Sequence, residues 1–544
     1  MSRVILALFV LTVFLAVSNA NAQEPADKEA TVKKAPTAAE LLVKKLEFSK
    51  EVTRVTTHRR KDGLPDYAAA INDHFGKGVT PEENGAVLYY QAIGPAPEGS
   101  PMDDRFFDLL GMPRPPAKGD YFRGFGRDVP PEKVQELIET EFNIALERPW
   151  KSEEFPAVAR WLRQNNRPVA TAIKAAYRPK YYSPLIVPVD KDGRLGGLIE
   201  CLLPGIQESR SIARYLICRA HLNIAEGNAD AAWSDLMACH RLGSMIARGP
   251  TLIESLVGIA INAMATRSDI VFLDQIEMDA AQLARCRRDI DKLPPIRSMV
   301  EQLDWCERMM YLDSVLLLAT GRTEVLNLIS GLTDASPEDS ALDSLATRLA
   351  VLSIDWNTAM RIGNQMYDRL IVSMNEKTYQ QREVALKKVD RLIKKSKENT
   401  SITGFLKAVA ETGSSRTAMS EMTANVMVSL LLPAVRAVNT AHARSHQTRH
   451  NLEVAFALAD WKLKNGSYPR SLDQLVPKHL DEAPFDTFSG KPLKYVRSDD
   501  GFLIYSVGRN GEDEGGRWFD DEPQGDDPRV RLPIPEEELL REDP

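Results

Sequence analysis

Apolar residues recur at three- and four-residue intervals through most of this chain, the spacing of helices with one buried face. The pattern predicts helices at about 131–147, 155–177, 206–226, 229–247, 251–275, 279–292 and 297–320, each set off by Gly, Pro or Asn. After a less patterned stretch it predicts three more, at about 339–376, 380–398 and 402–412. Thr80-Pro81-Glu82-Glu83 reads as a helix start, with Thr80 as cap, proline at the first position and Glu83 closing a capping box; Gly94-Pro95 ends that helix. Residues 95–128 are heavy in Pro, Gly and aromatics, among them Phe106-Phe107, Tyr121-Phe122 and Phe125. So many rings are costly to leave in water, so this segment is expected to be an ordered loop wrapped on a helical core.

Alternation with period two appears only near the C-terminus. Pro492 to Arg497 and Phe502 to Val507 alternate across Ser498-Asp499-Asp500-Gly501, a hairpin turn signal, and Arg529 to Leu532 offers a third short strand. Asn465-Gly466 reads as the C-cap of the preceding helix, followed by a short helix near Ser471 to Leu475.

Ala220, Gly227, Ala232, Leu236 and Cys239 follow the small, glycine, small, large, small order of a tetratricopeptide-like hairpin. No second copy follows at the roughly 34-residue period of such repeats, so a solenoid is not expected. The expected fold is mainly α: a large α-helical domain with that one hairpin, then a small α+β module with a short antiparallel sheet. The expected divisions are a signal peptide at 1–22, a flexible linker at 23–38, the α-helical domain at 39–425, a helix plus β module at 426–533 and an acidic tail at 534–544.

The signal reading rests on Arg3, the apolar run Val4 to Val17 and the small-residue cleavage pattern Ala20-Asn21-Ala22. No cysteine stands at a lipidation position after that run, and the run is shorter than a membrane-spanning helix needs. The expectation is export to the periplasm or beyond, with no transmembrane span in the mature chain. A formal net charge of -7 without a clustered cationic stripe argues against nucleic-acid binding.

An exported chain with 5 cysteines invites disulfides. Cys218 and Cys239 flank the Gly227-Asn228 turn at similar distances, and Cys286 and Cys306 flank Pro294-Pro295 in the same way. The spacing predicts these two bridges and leaves Cys201 over, against the alternative that all are small buried hydrophobes.

From about Leu430 to Leu532 the chain resembles the globular part of a type II secretion major pseudopilin. The matching residues are Asn465-Gly466-Ser467-Tyr468-Pro469, Leu472, Leu475, Pro484, Asp486, Gly490-Lys491-Pro492, Tyr495, Gly501-Phe502, Tyr505-Ser506-Val507-Gly508, Asn510-Gly511, Gly515-Gly516 and Asp520-Asp521. The resemblance implies a pilin-type helix from Val426 through Leu463, a small sheet packed on it, no catalysis, and a calcium site in the loop after the second strand. Carried over by position, the calcium ligands would be Asn510, Asp513, Asp520 and Asp521, hard oxygen donors in a glycine-rich loop. The alternative is a solvated acidic loop. Here the helix is internal, its apolar run is short, and Pro433 falls inside it, so insertion in a filament is not expected. Three phrases, Gly78-Val79-Thr80-Pro81-Glu82-Glu83-Asn84, Gln91-Ala92-Ile93-Gly94-Pro95 and Ala231-Ala232-Trp233-Ser234-Asp235-Leu236, also resemble a wider group of exported bacterial proteins that carries no assigned activity.

His442, His446 and His450 repeat every fourth residue and would share a helix face, but no carboxylate or thiolate companion stands beside them, and a solvated face is expected. The basic stretch around Lys387-Lys388, Arg391 and Lys394-Lys395 reads as the outer face of a packed helix. No nucleophile elbow, zinc-protease helix, Walker loop or dinucleotide fingerprint occurs. The first functional expectation is therefore an exported, non-enzymatic protein acting by protein contacts in the cell envelope, in association with secretion. The alternatives are a periplasmic or secreted hydrolase with a site between helices near 95–128, and a calcium-responsive adhesive or matrix component.

Overall fold

The computed structural model describes residues 37–127, 129–191, 193, 195–295, 297–322, 354–398, 414–519 and 521–535. The expected signal peptide, most of the linker, nearly all of the acidic tail, the helix at 402–412 and the first part of the helix at 339–376 lie outside them. The fold is mainly α with one short antiparallel sheet. In chain order the helices are α1 Ala38–Val43, α2 Tyr67–Gly76, α3 Gly85–Ile93, α4 Asp104–Leu110, α5 Pro131–Leu137, α6 Asn143–Glu147, α7 Pro156–Gln164 and α8 Asn166–Ala176. They continue as α9 Ile206–Ala225, α10 Ala229–Ile246, α11 Leu252–Gln275, α12 Ala280–Asp291, α13 Arg308–Ala319, α14 Trp356–Met374, α15 Tyr379–Glu398 and α16 Ser415–Asn465.

Most boundaries follow local chemistry. Thr251 caps α11, accepting the Glu254 N–H at 3.1 Å while its own N–H and hydroxyl donate to the Glu254 carboxylate. Gly466, at φ +77°, ends α16 by donating its N–H to the Lys462 carbonyl. At the other expected start the cap differs. Residues 81–83 form a turn, and Asn84 is the N-cap of α3, accepting the Ala86 N–H at 3.0 Å. The Lys180 segment causes this: its N–H donates to the Glu83 carbonyl, its carbonyl accepts the Gly85 N–H, and its ammonium pairs with the Glu83 carboxylate at 2.8 Å. Glu83 is thereby taken from the box that the sequence suggested.

Three buried clusters hold the body together. The first gathers α3, the aromatic loop and parts of α7 to α11; Phe106, Phe107 and Phe122 are all buried in it, and Phe125 stacks on Phe142 at 4.5 Å between centroids. The loop also contains a helix that the pattern did not reveal, α4. The second cluster joins residues 42–71 to α13, α14 and α15. The third binds the turn end of the α9–α10 hairpin to α12, to the C-terminal half of α16 and to the sheet, with Trp233 at 5.7 Å from Phe456 and Tyr468 at 5.0 Å from Phe502.

The strands β1 Lys494–Arg497, β2 Phe502–Tyr505 and β3 Arg529–Leu532 pair antiparallel in the order β1-β2-β3, with Arg497 opposite Phe502 and Ile504 opposite Val530. Their buried face, Phe502, Ile504, Val530 and Leu532, packs in the third cluster with Leu452, Ala455 and Phe456 of α16. The helix is longer than expected, 51 residues, continuous through Pro433, and its earlier part packs with α14 and α15. The expected division at 425 and 426 thus falls inside a single helix. α11 is long and apolar enough to cross a membrane by length and composition, and 56% of its apolar window is buried inside the body.

All five cysteines are free thiols. The spacing argument for bridges is corrected by packing. Cys239 turns its sulfur toward the Ala213 carbonyl at 3.9 Å, Cys286 lies against Met278 in the third cluster, and Cys306 lies in the second. Cys218, Cys239, Cys286 and Cys306 are each 1% exposed or less, as small hydrophobes in the core.

Candidate functional site

After β2 the chain leaves the sheet at Ser506, folds a glycine-rich loop over residues 508–527, and returns as β3. Gly508, at φ +63°, starts that loop; a side chain there would collide with both the carbonyl and the carboxylate of Asp526. This close approach brings together three carboxylates from the two ends of the loop. Glu514, Asp526 and Asp527 each offer an oxygen within 4.8 Å of the others, and among the described residues they are the one such group of three or more His, Cys, Asp or Glu.

Backbone amides fix the three. Asp527 is fully buried; its Oδ2 accepts the N–H groups of Glu514 at 3.1 Å and Gly516 at 2.9 Å. Asp526 Oδ2 accepts those of Arg509 at 3.1 Å and Asn510 at 3.3 Å. Glu514 accepts the Asp526 N–H at 2.6 Å and the Asn510 side-chain amide at 3.0 Å. The second oxygens, Asp526 Oδ1 and Asp527 Oδ1, are buried without a hydrogen-bond partner among the described residues. Burial pushes the Asp527 carboxyl up to about 6 despite its amide partners, and raises Asp526 as well, with the Glu514 charge adding to both.

The residues expected from the resemblance take other roles. Asn510 accepts the Glu512 N–H at 2.7 Å and supports Glu514. Asp513 pairs with Lys494 at 2.8 Å and accepts the Tyr505 hydroxyl; the Lys494 hydrogen bond holds its carboxyl below the usual range. Asp521 pairs with Arg529 and accepts the Trp518 N–H. Asp520 lies outside the described residues. The sequence signal for the observed group was the doublet Asp526-Asp527, one proline ahead of β3, where the return of the strand fixes both carboxylates opposite the outgoing loop.

A second cleft lies at the aromatic loop, about 320 Å³, bordered by Glu98, Phe125, Arg127, Glu208 and Ser211. Glu98 accepts the Gln207 N–H at 3.0 Å at the start of α9 and donates its own N–H to Glu208 at 3.4 Å, which requires the left-handed φ of 57° at Glu98. Burial raises both carboxyls.

The histidines of α16 do not join a metal-like group. His442 meets the Arg297 carbonyl at 3.0 Å and stands 4.6 Å from the His446 ring, and burial pushes it down to about 4. On the α9–α10 hairpin His221 meets the Ala145 carbonyl and His240 meets Asp269 at 2.6 Å, and neither is in a metal-like group among the described residues. No family model matches this chain, and neither a curated protein nor a solved structure matches it.

Proposed function

We propose that this chain is an exported, non-enzymatic protein that acts through protein contacts in the cell envelope, with its C-terminal sheet as a docking module ordered by a divalent cation. One observation carries the reading: two aspartate oxygens, Asp526 Oδ1 and Asp527 Oδ1, are buried without a donor beside the Glu514 carboxylate. Three carboxylates so close repel one another, and burial without a partner adds a further cost. A hard cation with oxygen preference, calcium above all, offsets both terms, with loop carbonyls and water completing its shell. The three short strands against a long polar helix agree with a pseudopilin-like head in an internal position, and the leader-like run Val4 to Val17 supports export. Thermal unfolding with calcium against chelator tests the reading. Calcium at about 100 times its Kd adds about 2.7 kcal/mol, and Asp527→Asn removes most of that gain. An unchanged melting temperature, together with unchanged hydrogen exchange in residues 508–527, would reject the cation. Crosslinking from intact cells with and without chelator then separates an envelope partner from an adhesive or matrix role.

One observation favours a hydrolase as the second reading. Glu98 and Glu208 bring two carboxyls with raised proton affinity to a cleft beside Phe125 and Arg127, the arrangement a general acid and base require. Turnover of a polysaccharide or peptide that Glu208→Gln abolishes, with the fold intact, would replace the first reading by this one.

A further inference from the structure

A cleft of about 510 Å³ opens between α2 and the extended segment 182–187, bordered also by Arg105 and Leu109 of α4, and it shares no lining residue with either site above. Its inner wall is apolar and buried: Tyr67, Tyr182, Leu185 and Leu198 are each 8% exposed or less. At the inner end stands Asp313 of α13, 5% exposed. Its Oδ2 accepts the Leu198 N–H at 2.7 Å, and its Oδ1 has no hydrogen-bond partner among the described residues. The same cleft is lined by two exposed cations, Arg105 and Lys77, and by the half-buried Arg60, whose charge reaches Asp313.

The charges differ in exposure and in partners. Arg105 is paired with Asp103 at 2.6 Å and braces the Val187 carbonyl, Arg60 is paired with Asp62 at 3.0 Å, and Lys77 has no ion-pair partner among the described residues. Two further carboxylates border the cleft. Asp66 is engaged in capping the Ala69 N–H at 2.9 Å, and Asp73 is exposed at 3.8 Å from His58. A buried carboxylate in an apolar wall is costly: burial pushes the Asp313 carboxyl up to about 6 although the Leu198 hydrogen bond and the Arg60 charge oppose it. A ligand cation seated there relieves the cost. The apolar wall fits a hydrocarbon body, and the exposed cations fit an anion at the other end of the same ligand.

We propose that this cleft binds a small zwitterion of the apolar dipeptide class, its ammonium against Asp313 and its carboxylate toward Arg105 and Lys77. Asp313 is the specificity determinant: it selects a charged amine at depth, where a neutral amide finds no compensation for the stranded carboxylate. The exposed rim adds less, because solvent screens those charges.

Calorimetric titration of the full chain with leucyl-leucine, N-acetyl-leucyl-leucine and leucyl-leucinamide tests the assignment. Leucyl-leucine is expected to bind, acetylation of its amine to weaken binding by about tenfold or more, and amidation of its carboxylate to weaken it by less. Asp313→Asn keeps an acceptor for the Leu198 N–H and is expected to bind leucyl-leucine as weakly as the parent binds the acetylated form. The ligand pair on the unaltered protein decides the matter even where that variant folds poorly. Equal binding of the free and acetylated dipeptides, or no heat from leucyl-leucine at millimolar concentration with native circular dichroism, overturns the proposal.

Discussion

Asn451, in the C-terminal half of α16, donates its side-chain amide to the carbonyl of Pro528, the residue just before β3, at 2.9 Å. Asn451 is fully buried, and its Oδ1 accepts from Gln447, itself fully buried, whose own carbonyl oxygen accepts the Thr487 N–H at 2.6 Å. Two amides in adjacent turns of one helix thus fix the strand and the 484–492 segment in place. The Pro528 carbonyl also accepts the Ser506 N–H at 3.0 Å and so loses one of two donors when the Asn451 amide is removed, which in turn leaves the buried Gln447 amide without its acceptor. Asn451→Ala is expected to cost about 1–3 kcal/mol, read as a lower urea midpoint with an unchanged slope. Asn451→Asp should cost more, because the new carboxylate oxygen would face the Pro528 carbonyl.

The hairpin α10 and helix α11 meet where two glycines face each other. A side chain on Gly258 would run into the Gly243 carbonyl and lie 2.7 Å from the Ala247 Cβ; one on Gly243 would lie 2.8 Å from the Gly258 carbonyl. Backbone on both sides leaves nothing to rotate away. Gly258→Ala is expected to destabilise by about 1–3 kcal/mol although alanine is the better helix former, the reverse of what an exposed helix position gives. Thermal unfolding of G258A checks this: a melting temperature at or above the parent's would show that helix propensity, not the close approach, decides the position.

The five free thiols lead to a chemical prediction. Burial pushes all five thiols up, Cys201 included, away from the reactive thiolate; exposure separates them, since Cys201 is half-buried and the other four are fully buried. Native protein treated with iodoacetamide should be modified first and slowly at Cys201, with the other four labelled only in denaturant. Peptide mapping without reductant should recover no cystine, even from protein exported to an oxidising compartment, because the Cys239 sulfur faces the Ala213 carbonyl and Cys286 and Cys306 lie in different parts of the core.

Helix positions and strand alternation were legible because they depend on neighbours in sequence. The strand Arg529–Leu532 and the turn Ser498 to Gly501, closed by the Ser498 N–H to the Gly501 carbonyl, follow directly from the local pattern. What the pattern could not carry were choices made by distant segments. Lys180 moved the α3 cap from Thr80 to Asn84, and the return of β3 selected Asp526 and Asp527 over Asp513 and Asp521, each of which a nearby cation engages. Asp313 left a signal that went unread: a lone carboxylate within Tyr311-Leu312-Asp313-Ser314-Val315-Leu316, a run that the packing of α13 buries entirely. In an otherwise apolar helix such a residue marks a place where the core meets a cavity or a partner amide, and here it meets both.

Glu254 makes the pH dependence of stability measurable at one residue. Its carboxylate closes the α11 capping box from a site 3% exposed, and burial outweighs the Thr251 hydrogen bonds, pushing it up to about 7. The folded chain therefore holds this proton more tightly than the unfolded chain, where glutamate titrates near 4.5. Its favourable contribution is complete below that lower value and is lost as pH rises through about 7. Glu307 titrates in the same direction to about 7, so both contribute to a fall in stability across the interval. Glu254→Gln retains an acceptor for the Thr251 groups and has no charge to bury. Its urea midpoint should lie close to the parent's at pH 5 and above it at pH 8, by up to about 3 kcal/mol of unfolding free energy. Parallel curves for parent and variant from pH 5 to pH 8 would show that Glu254 is not the group being titrated.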